Sequence, residues 1–306
     1  MTNAQRIPAF VNPDSGTAKG ARDALERTGL FDIHEVPPAE LEKRIRETVA
    51  AKPARILIAG GDGTIRTAAE AVAGTGVELA VLPSGTLNHF AKDHGLPTDL
   101  DEAAQVAAGS FVASVDAGRV GDSLFHGTSS IGAYVIFMRV RDRLEPTFGY
   151  RLSSFVAVIW TFMRMPTAVV ELEIDGKAQA YRTPLVFIGV GERELQLPTL
   201  GGRVEGGKRG LHVLVVRGRR RARLLLLALD SATRGVRRAS RTPELDAFMV
   251  ERCTITMKRK STRVSFDGEA RYMETPLEYR LERDILRVVM RETPKEDGGP
   301  ASSSQV

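Results

Sequence analysis

Four short stretches of this 306-residue chain combine glycine, hydroxyl and carboxylate residues in patterns that could do chemistry. The first, Gly60-Gly61-Asp62-Gly63-Thr64, follows a short apolar run at 56–59 and precedes an alanine-rich helical pattern. The run reads as a buried parallel strand, and Thr64 as the N-cap of the helix. Unpaired N–H groups and the helix dipole then face one loop, which makes an anion site. The dipole alone contributes about 0.3–1 kcal/mol, so several N–H contacts must add to it. The same device recurs at Pro83-Ser84-Gly85-Thr86, after a strand at 78–82 and before a helix from Leu87 that includes Asn88. A third loop, Asn12-Pro13-Asp14-Ser15-Gly16, follows a strand at 7–11. Its residues suit a tight turn with free N–H groups, and equally an ordinary strand-to-helix turn. In a parallel sheet the first two loops lie at the carboxyl edge of the strands, where open α/β sheets bind ligands. Those two together read as a grip on a phosphate-bearing ligand. The loop is neither a Walker A nor a GxGxxG motif. Asp62 stands out, because a carboxylate beside phosphates repels them unless it meets a cation or a hydrogen-bond donor. Locally, Asp62-Gly63 also reads as an ordinary turn. The fourth stretch, Asp267-Gly268-Glu269, reads by itself as a hairpin turn between alternating strands.

The surrounding elements fall into two regions. Up to residue 116 strands and helices alternate; beyond it strands dominate. The expected fold is an α/β N-terminal domain, Rossmann-like and three-layered, followed by a mainly β sandwich. We place the domains at 1–117 and 118–275, with Asp116-Ala117-Gly118 as hinge. Two strand-like pieces within 276–292 are available to complete the first domain, and 293–306 is expected to be disordered. Asp99 is expected to cap a short helix. The segment 150–165 is apolar nearly all round, which fits a buried helix or one wall of a lipid pocket. Residues 217–241 hold nine arginines and one acid, fitting either an anionic membrane surface or a core helix whose arginines snorkel.

Charge divides the chain as well. Residues 1–116 carry 11 Lys/Arg against 16 Asp/Glu; the remainder carries 32 against 22. A basic second half needs an anionic partner, and with sparse aromatics and no nucleic-acid motif a membrane surface ranks ahead of nucleic acid. The lone Cys253 gives no disulfide framework, and the five histidines lack zinc-like spacing. No apolar run approaches a membrane span, and the first residues lack a signal-peptide layout, so a cytoplasmic protein is expected, peripheral at the inner membrane face.

GGDGT, with LPSGTLNHFAKDHGLP downstream, FVNPDSG upstream and DGE near the C-terminus, resembles the diacylglycerol kinase catalytic-domain family, bacterial lipid kinases related to sphingosine kinases. NAD kinases share GGDGT alone. The resemblance implies ATP and Mg²⁺ as cofactors and a lipid alcohol such as diacylglycerol as acceptor. It implies that Glu269 is the general base and that Asp62 orients Mg²⁺–ATP or the acceptor hydroxyl. By the same resemblance Asn12, Pro13, Ser15, Gly16, Gly60, Gly61, Gly63, Thr64, Gly85, Thr86 and Asn88 hold the nucleotide; the metal ligands stay unassigned. Several positions depart from the family pattern. Pro37-Pro38 stands where a nucleotide-contacting threonine is usual. Phe125-His126-Gly127 replaces a Phe-Leu-Asn-like segment, and Gly191-Glu192 lacks the usual asparagine. Gly206-Gly207-Lys208-Arg209-Gly210 lacks an aspartate that helps to hold a structural Mg²⁺, and a lysine there would repel a hard cation. A nucleotide sensor without catalysis, or an NAD kinase, remains an alternative to a lipid kinase.

Overall fold

The computed structural model describes residues 6–164, 167–195, 200–217 and 245–292. The arginine-rich stretch beyond Arg217 and the segment 293–306 lie outside the described residues.

Four parallel strands form the first region: β1 (Ile7–Val11), β2 (Phe31–Glu35), β3 (Arg55–Gly60) and β4 (Glu78–Pro83), ordered β2-β1-β3-β4. They are buried nearly throughout in β3 and β4, as continuous apolar runs with helices on both faces require. On one face α1 (Ala18–Thr28) and α5 (Leu100–Ala108) pack Ala21, Leu25 and Ala104 against Leu57 and Leu82. On the other, α2 (Pro38–Ala50) and α3 (Asp62–Val72) pack Leu41, Ile45, Ile65 and Val72 against Ile56, Ile58 and Val81. The expected three layers are therefore present. Pro38 sits in the first turn of α2, where its missing N–H costs nothing. Asp99 caps α5 as expected, its carboxylate accepting from Asp101 and Glu102 N–H at 3.1 and 3.0 Å. Between α3 and α5 lies the short α4 (His89–Asp93).

Beyond α5 the chain turns to strands: β5 (Val112–Val120), β6 (Ser123–Phe125) and β7 (Thr128–Gly132). The long α6 (Ala133–Arg164) follows, then β8 (Ala168–Ile174), β9 (Lys177–Thr183), β10 (Leu185–Val190), β11 (Arg193–Leu195), β12 (Leu200–Arg203) and β13 (Leu211–Val216). The last strands are β14 (Leu245–Val250), β15 (Arg252–Met257), β16 (Ser261–Phe266), β17 (Glu269–Glu274) and β18 (Leu277–Val289). An antiparallel sheet ordered β14-β13-β10-β7-β16-β17 faces β8, β15 and β18 of the first sheet. Ile131, Ile188, Val213 and Phe266 from one sheet meet Val170, Ile255 and Tyr279 from the other, so the second region is a β sandwich.

Two features differ from expectation. Asp116-Ala117-Gly118 is not a break: these residues lie within β5, paired with β18 through Gly118↔Leu281 and Ala117↔Glu282. The two pieces at 276–292 are one long strand. β18 pairs antiparallel with β15 through residues 277–280 and parallel with β4 through Arg287 and Val288. A register shift between Glu282 and Leu286 bends it on the way. One sheet thus runs β2-β1-β3-β4-β18-β15-β8-β9 through both regions.

Candidate active site

Register sets the three N-terminal loops side by side. Val11 pairs with Ala59, and Gly60, the last residue of β3, pairs with Pro83, the last of β4. Each chain leaves the sheet at nearly the same rung. Asn12 N–H donates to the Ala59 carbonyl at 3.2 Å, and Ser84 N–H to the Gly60 carbonyl at 3.0 Å, which extends the ladder into the loops. The Ser84 carbonyl then accepts from both the Ser15 hydroxyl (2.8 Å) and the Thr17 hydroxyl (2.7 Å). Asp14 N–H closes on Asn12 Oδ1 at 3.0 Å as an Asx turn.

Contact between the Gly61 and Gly85 backbones depends on the absence of side chains. A Cβ on Gly85 would stand 2.6 Å from Gly61 Cα, whereas a Cβ on Gly61 would meet Gly85 Cα at an ordinary 3.4 Å. Helix α3 is capped three residues before the expected Thr64: Gly61 is its extended N-cap and no side chain caps it. Thr64 belongs to the first turn, its methyl and hydroxyl packed back over Gly60. The opening N–H groups of α3 therefore face the crevice without an intrahelical acceptor.

Asp62 is the first residue of that helix and spans the two loops. Its Oδ1 accepts from Phe90 N–H at 3.1 Å, at the start of α4. Among the described residues its second oxygen has no partner. Asn88, in the left-handed region at φ 51°, turns its Oδ1 to Gly85 N–H at 2.9 Å. Gly85 and Asn88 therefore shape the loop, with that N–H already engaged. Thr86 and Gly16 are exposed at the rim, as is Pro13.

Glu269 arrives from the sandwich. The β16–β17 hairpin turns through Asp267 (φ 47°) and Gly268 (φ 91°), the positive angles of a two-residue turn. Glu269 Oε1 lies 3.1 Å from where a Cβ on Gly63 would stand, so the hairpin meets the glycine loop directly. Glu269 Oε2 accepts from Arg66 Nη2 at 2.5 Å, with Arg271 a further 3.5 Å contact. Glu269 thus lies against the residue that follows Asp62, and the space beside them is the candidate crevice.

Several residues that shape the crevice escaped sequence reading. Arg66 is 2% exposed, one turn along α3, and also approaches Glu70 at 3.4 Å. Asp267 is a hub: its carboxylate accepts from the N–H groups of His126, Gly127 and Thr128, each at 2.9 Å. Its sequence signal, Asp before Gly, reports only the turn. His126 is 3% exposed, edge-on to the Phe90 ring at 4.7 Å and 3.5 Å from Asp267. Arg193 reaches from β11 to pair with Asp93 at the end of α4. Burial, and then the neighbouring Arg203, push His94 down to about 3, so its ring stays neutral.

At the position of the missing aspartate, Lys208 N–H donates to Glu192 at 3.1 Å. Arg209 clasps Asp116 of β5 through Nε at 2.8 Å and through Nη2, and Nη2 also reaches Asp284 of β18 at 2.8 Å. A guanidinium holds both carboxylates. Among the described residues no group of three or more His, Cys, Asp and Glu side chains could hold a metal ion.

Comparisons with known proteins bear on the same region. Residues 6–120 match the family profile described as the diacylglycerol kinase catalytic domain. Diacylglycerol kinase of Mycobacterium tuberculosis (strain ATCC 25618 / H37Rv) is 27% identical over 187 residues, 56% of this chain and 60% of that protein. A protein of Pseudomonas putida (strain KT2440) named Probable lipid kinase YegS-like is 33% identical over 187 residues, 59% of this chain and 61% of that protein. The chain therefore spans about three fifths of the length of these relatives. The crystal structure of a diacylglycerol kinase from Bacillus anthracis str. Sterne superposes with a TM-score of 0.67 at 18% identity, covering 95% of this chain and 98% of that one. A second crystal structure from that organism reaches 0.73 at 20% identity, covering 95% and 99%. At those identities the likeness is one of fold.

Proposed function

We propose, from the match of residues 6–120 to the profile of the diacylglycerol kinase catalytic domain, that this chain is an ATP-dependent lipid kinase acting on a lipid alcohol such as diacylglycerol. The observation that carries the reading is the contact of Glu269 with Gly63, which brings a carboxylate from the sandwich onto the glycine loop. The triphosphate lies across the start of α3, held by the N–H groups around Gly61, Gly63 and Thr64. Asn12, Ser15 and Gly16 close it from one side, Gly85 and Thr86 from the other. Gly60, Pro13 and Asn88 shape these loops.

Glu269 Oε1 takes the proton of the acceptor hydroxyl. The hydroxyl oxygen bonds to the γ-phosphorus, the bond to the β–γ bridging oxygen breaks, and ADP leaves. Arg66 fixes the other oxygen of Glu269, so the base is held in place rather than searching for its substrate. Mg²⁺ would supply neutralisation of phosphate charge, and the Asp62 oxygen that has no partner among the described residues would be the protein group to hold it.

The test separates chemistry from folding. Asp62→Asn keeps an acceptor for Phe90 N–H, and Glu269→Gln keeps one for Arg66. Each is expected to lower transfer of labelled phosphate from ATP into diacylglycerol by at least about 10²-fold, with ATP binding and melting temperature retained. Unchanged turnover in either variant overturns the assignment. A chain that binds ATP and transfers no phosphate to any lipid of a mixed extract is a sensor instead.

A further inference from the structure

Helix α6 is interrupted at Gly149 (φ 71°, ψ 166°), three residues after Pro146, and its second half has large apolar side chains turned outward. The buried face carries Ser153, Ser154, Ala157 and Thr161, of which Ser153 and Ala157 are fully enclosed. Among the described residues none of the three hydroxyls has a hydrogen-bond partner. Phe148, beside the break, and Leu152, Val156, Ile159 and Trp160 beyond it are instead exposed, by 38–55%. From Leu152 onward the spacing of four, three and one residues puts the apolar side chains along one stripe. A helix folded against a core in water alone would carry these two sets the other way round, because unpartnered buried hydroxyls and exposed large apolar groups both cost free energy.

Charge on the same helix narrows what covers the stripe. Arg139 and Arg143 are exposed one turn apart and, among the described residues, have no carboxylate partner. Arg141 between them is paired with Asp142 and Glu145. A second copy of this chain docked here would bring like charges together. An anionic bilayer satisfies both features at once. No helix among the described residues is long and apolar enough to cross a membrane, so the ridge would lie in the interface plane.

We propose that Phe148, Leu152, Val156, Ile159 and Trp160 form a membrane-docking ridge, inserted among lipid chains with Arg139 and Arg143 against lipid phosphates. This rests on the lipid-kinase reading only for its purpose, namely reaching an acceptor in the bilayer. Helix α6 packs on β16, the strand that leads to Glu269, so docking acts close to the acceptor side of the crevice.

Trp160, the chain's single tryptophan, is a built-in probe. On titration with phosphatidylcholine vesicles containing phosphatidylglycerol, without ATP, its emission should move to shorter wavelength as the protein co-sediments. Leu152→Glu/Ile159→Glu should raise the lipid concentration for half-binding about tenfold or more, and Arg139→Glu/Arg143→Glu should remove the preference for phosphatidylglycerol. The apolar-face variant should keep its turnover on detergent-dispersed acceptor while losing turnover on vesicles. Vesicle binding without turnover on any dispersed lipid leaves the ridge standing and removes the kinase reading. Absence of wild-type binding, equal binding by the variants, or a concentration-dependent dimer abolished by Leu152→Glu/Ile159→Glu in place of vesicle binding overturns the proposal.

Discussion

Arg66 carries a charge into a place only 2% exposed, and its one close hydrogen bond runs to a residue 203 positions away. Nothing near it in sequence announces that partner; locally it is one more helix residue. Asp62, by contrast, was legible as an oddity, since a carboxylate in a glycine loop demands an explanation. We expect Arg66→Met to lower kcat about tenfold or more while the KM for ATP holds. The stability change should stay within about 1 kcal/mol, because Glu269 is 44% exposed and remains hydrated. Steady-state kinetics beside a denaturant titration check this. The glycines give a sharper contrast. Gly85→Ala forces a Cβ to 2.6 Å from backbone and should cost about 1–3 kcal/mol. Gly61→Ala meets only ordinary contact, so it should leave the melting temperature nearly unchanged and weaken ATP binding by blocking close approach of a phosphate. Equal effects of the two on stability would contradict this division.

At the level of elements, strands and turns were readable because their cues are local. The Asp267-Gly268 hairpin stands where a turn was expected. The start of α3 was misplaced because Thr64 has the chemistry of an N-cap while Gly61 has its geometry. Joining β5 to β18 was not legible either, since pairing partners 159–177 residues apart leave no periodic trace. The β16–β17 hairpin depends on the side chain that its sequence motif underplays. Asp267→Ala strands three buried N–H groups and should destabilise the protein by about 2–4 kcal/mol, lowering activity by freeing Glu269 from its station. Asp267→Asn, with one acceptor oxygen left, should fall between. Thermal melts and turnover measured on both variants test the order.

Over the whole molecule, acid should loosen the clasp between the sheets. Burial alone would raise the Asp116 carboxyl, but hydrogen bonds from Arg209 and from Asp284 N–H hold it below the ordinary carboxylate value of 3.8. A depressed folded value means that the contribution is complete above the unfolded value and disappears as pH falls through the folded one. Wild type should therefore lose stability below about pH 4, and Arg209→Ala should be less stable at pH 7 with a shallower acid decline. Denaturant midpoints between pH 2 and 7 measure both slopes.

Because β18 is stitched to β4 at one end and to β15 at the other, the sheet that carries the glycine loops continues as one layer of the sandwich, and the hairpin bearing Glu269 belongs to the layer packed on it. Such a sheet does not fold shut like a book. A ligand at the glycine loops should then be accommodated by small motions of loops and of the hairpin tip, so scattering profiles with and without nucleotide should superimpose.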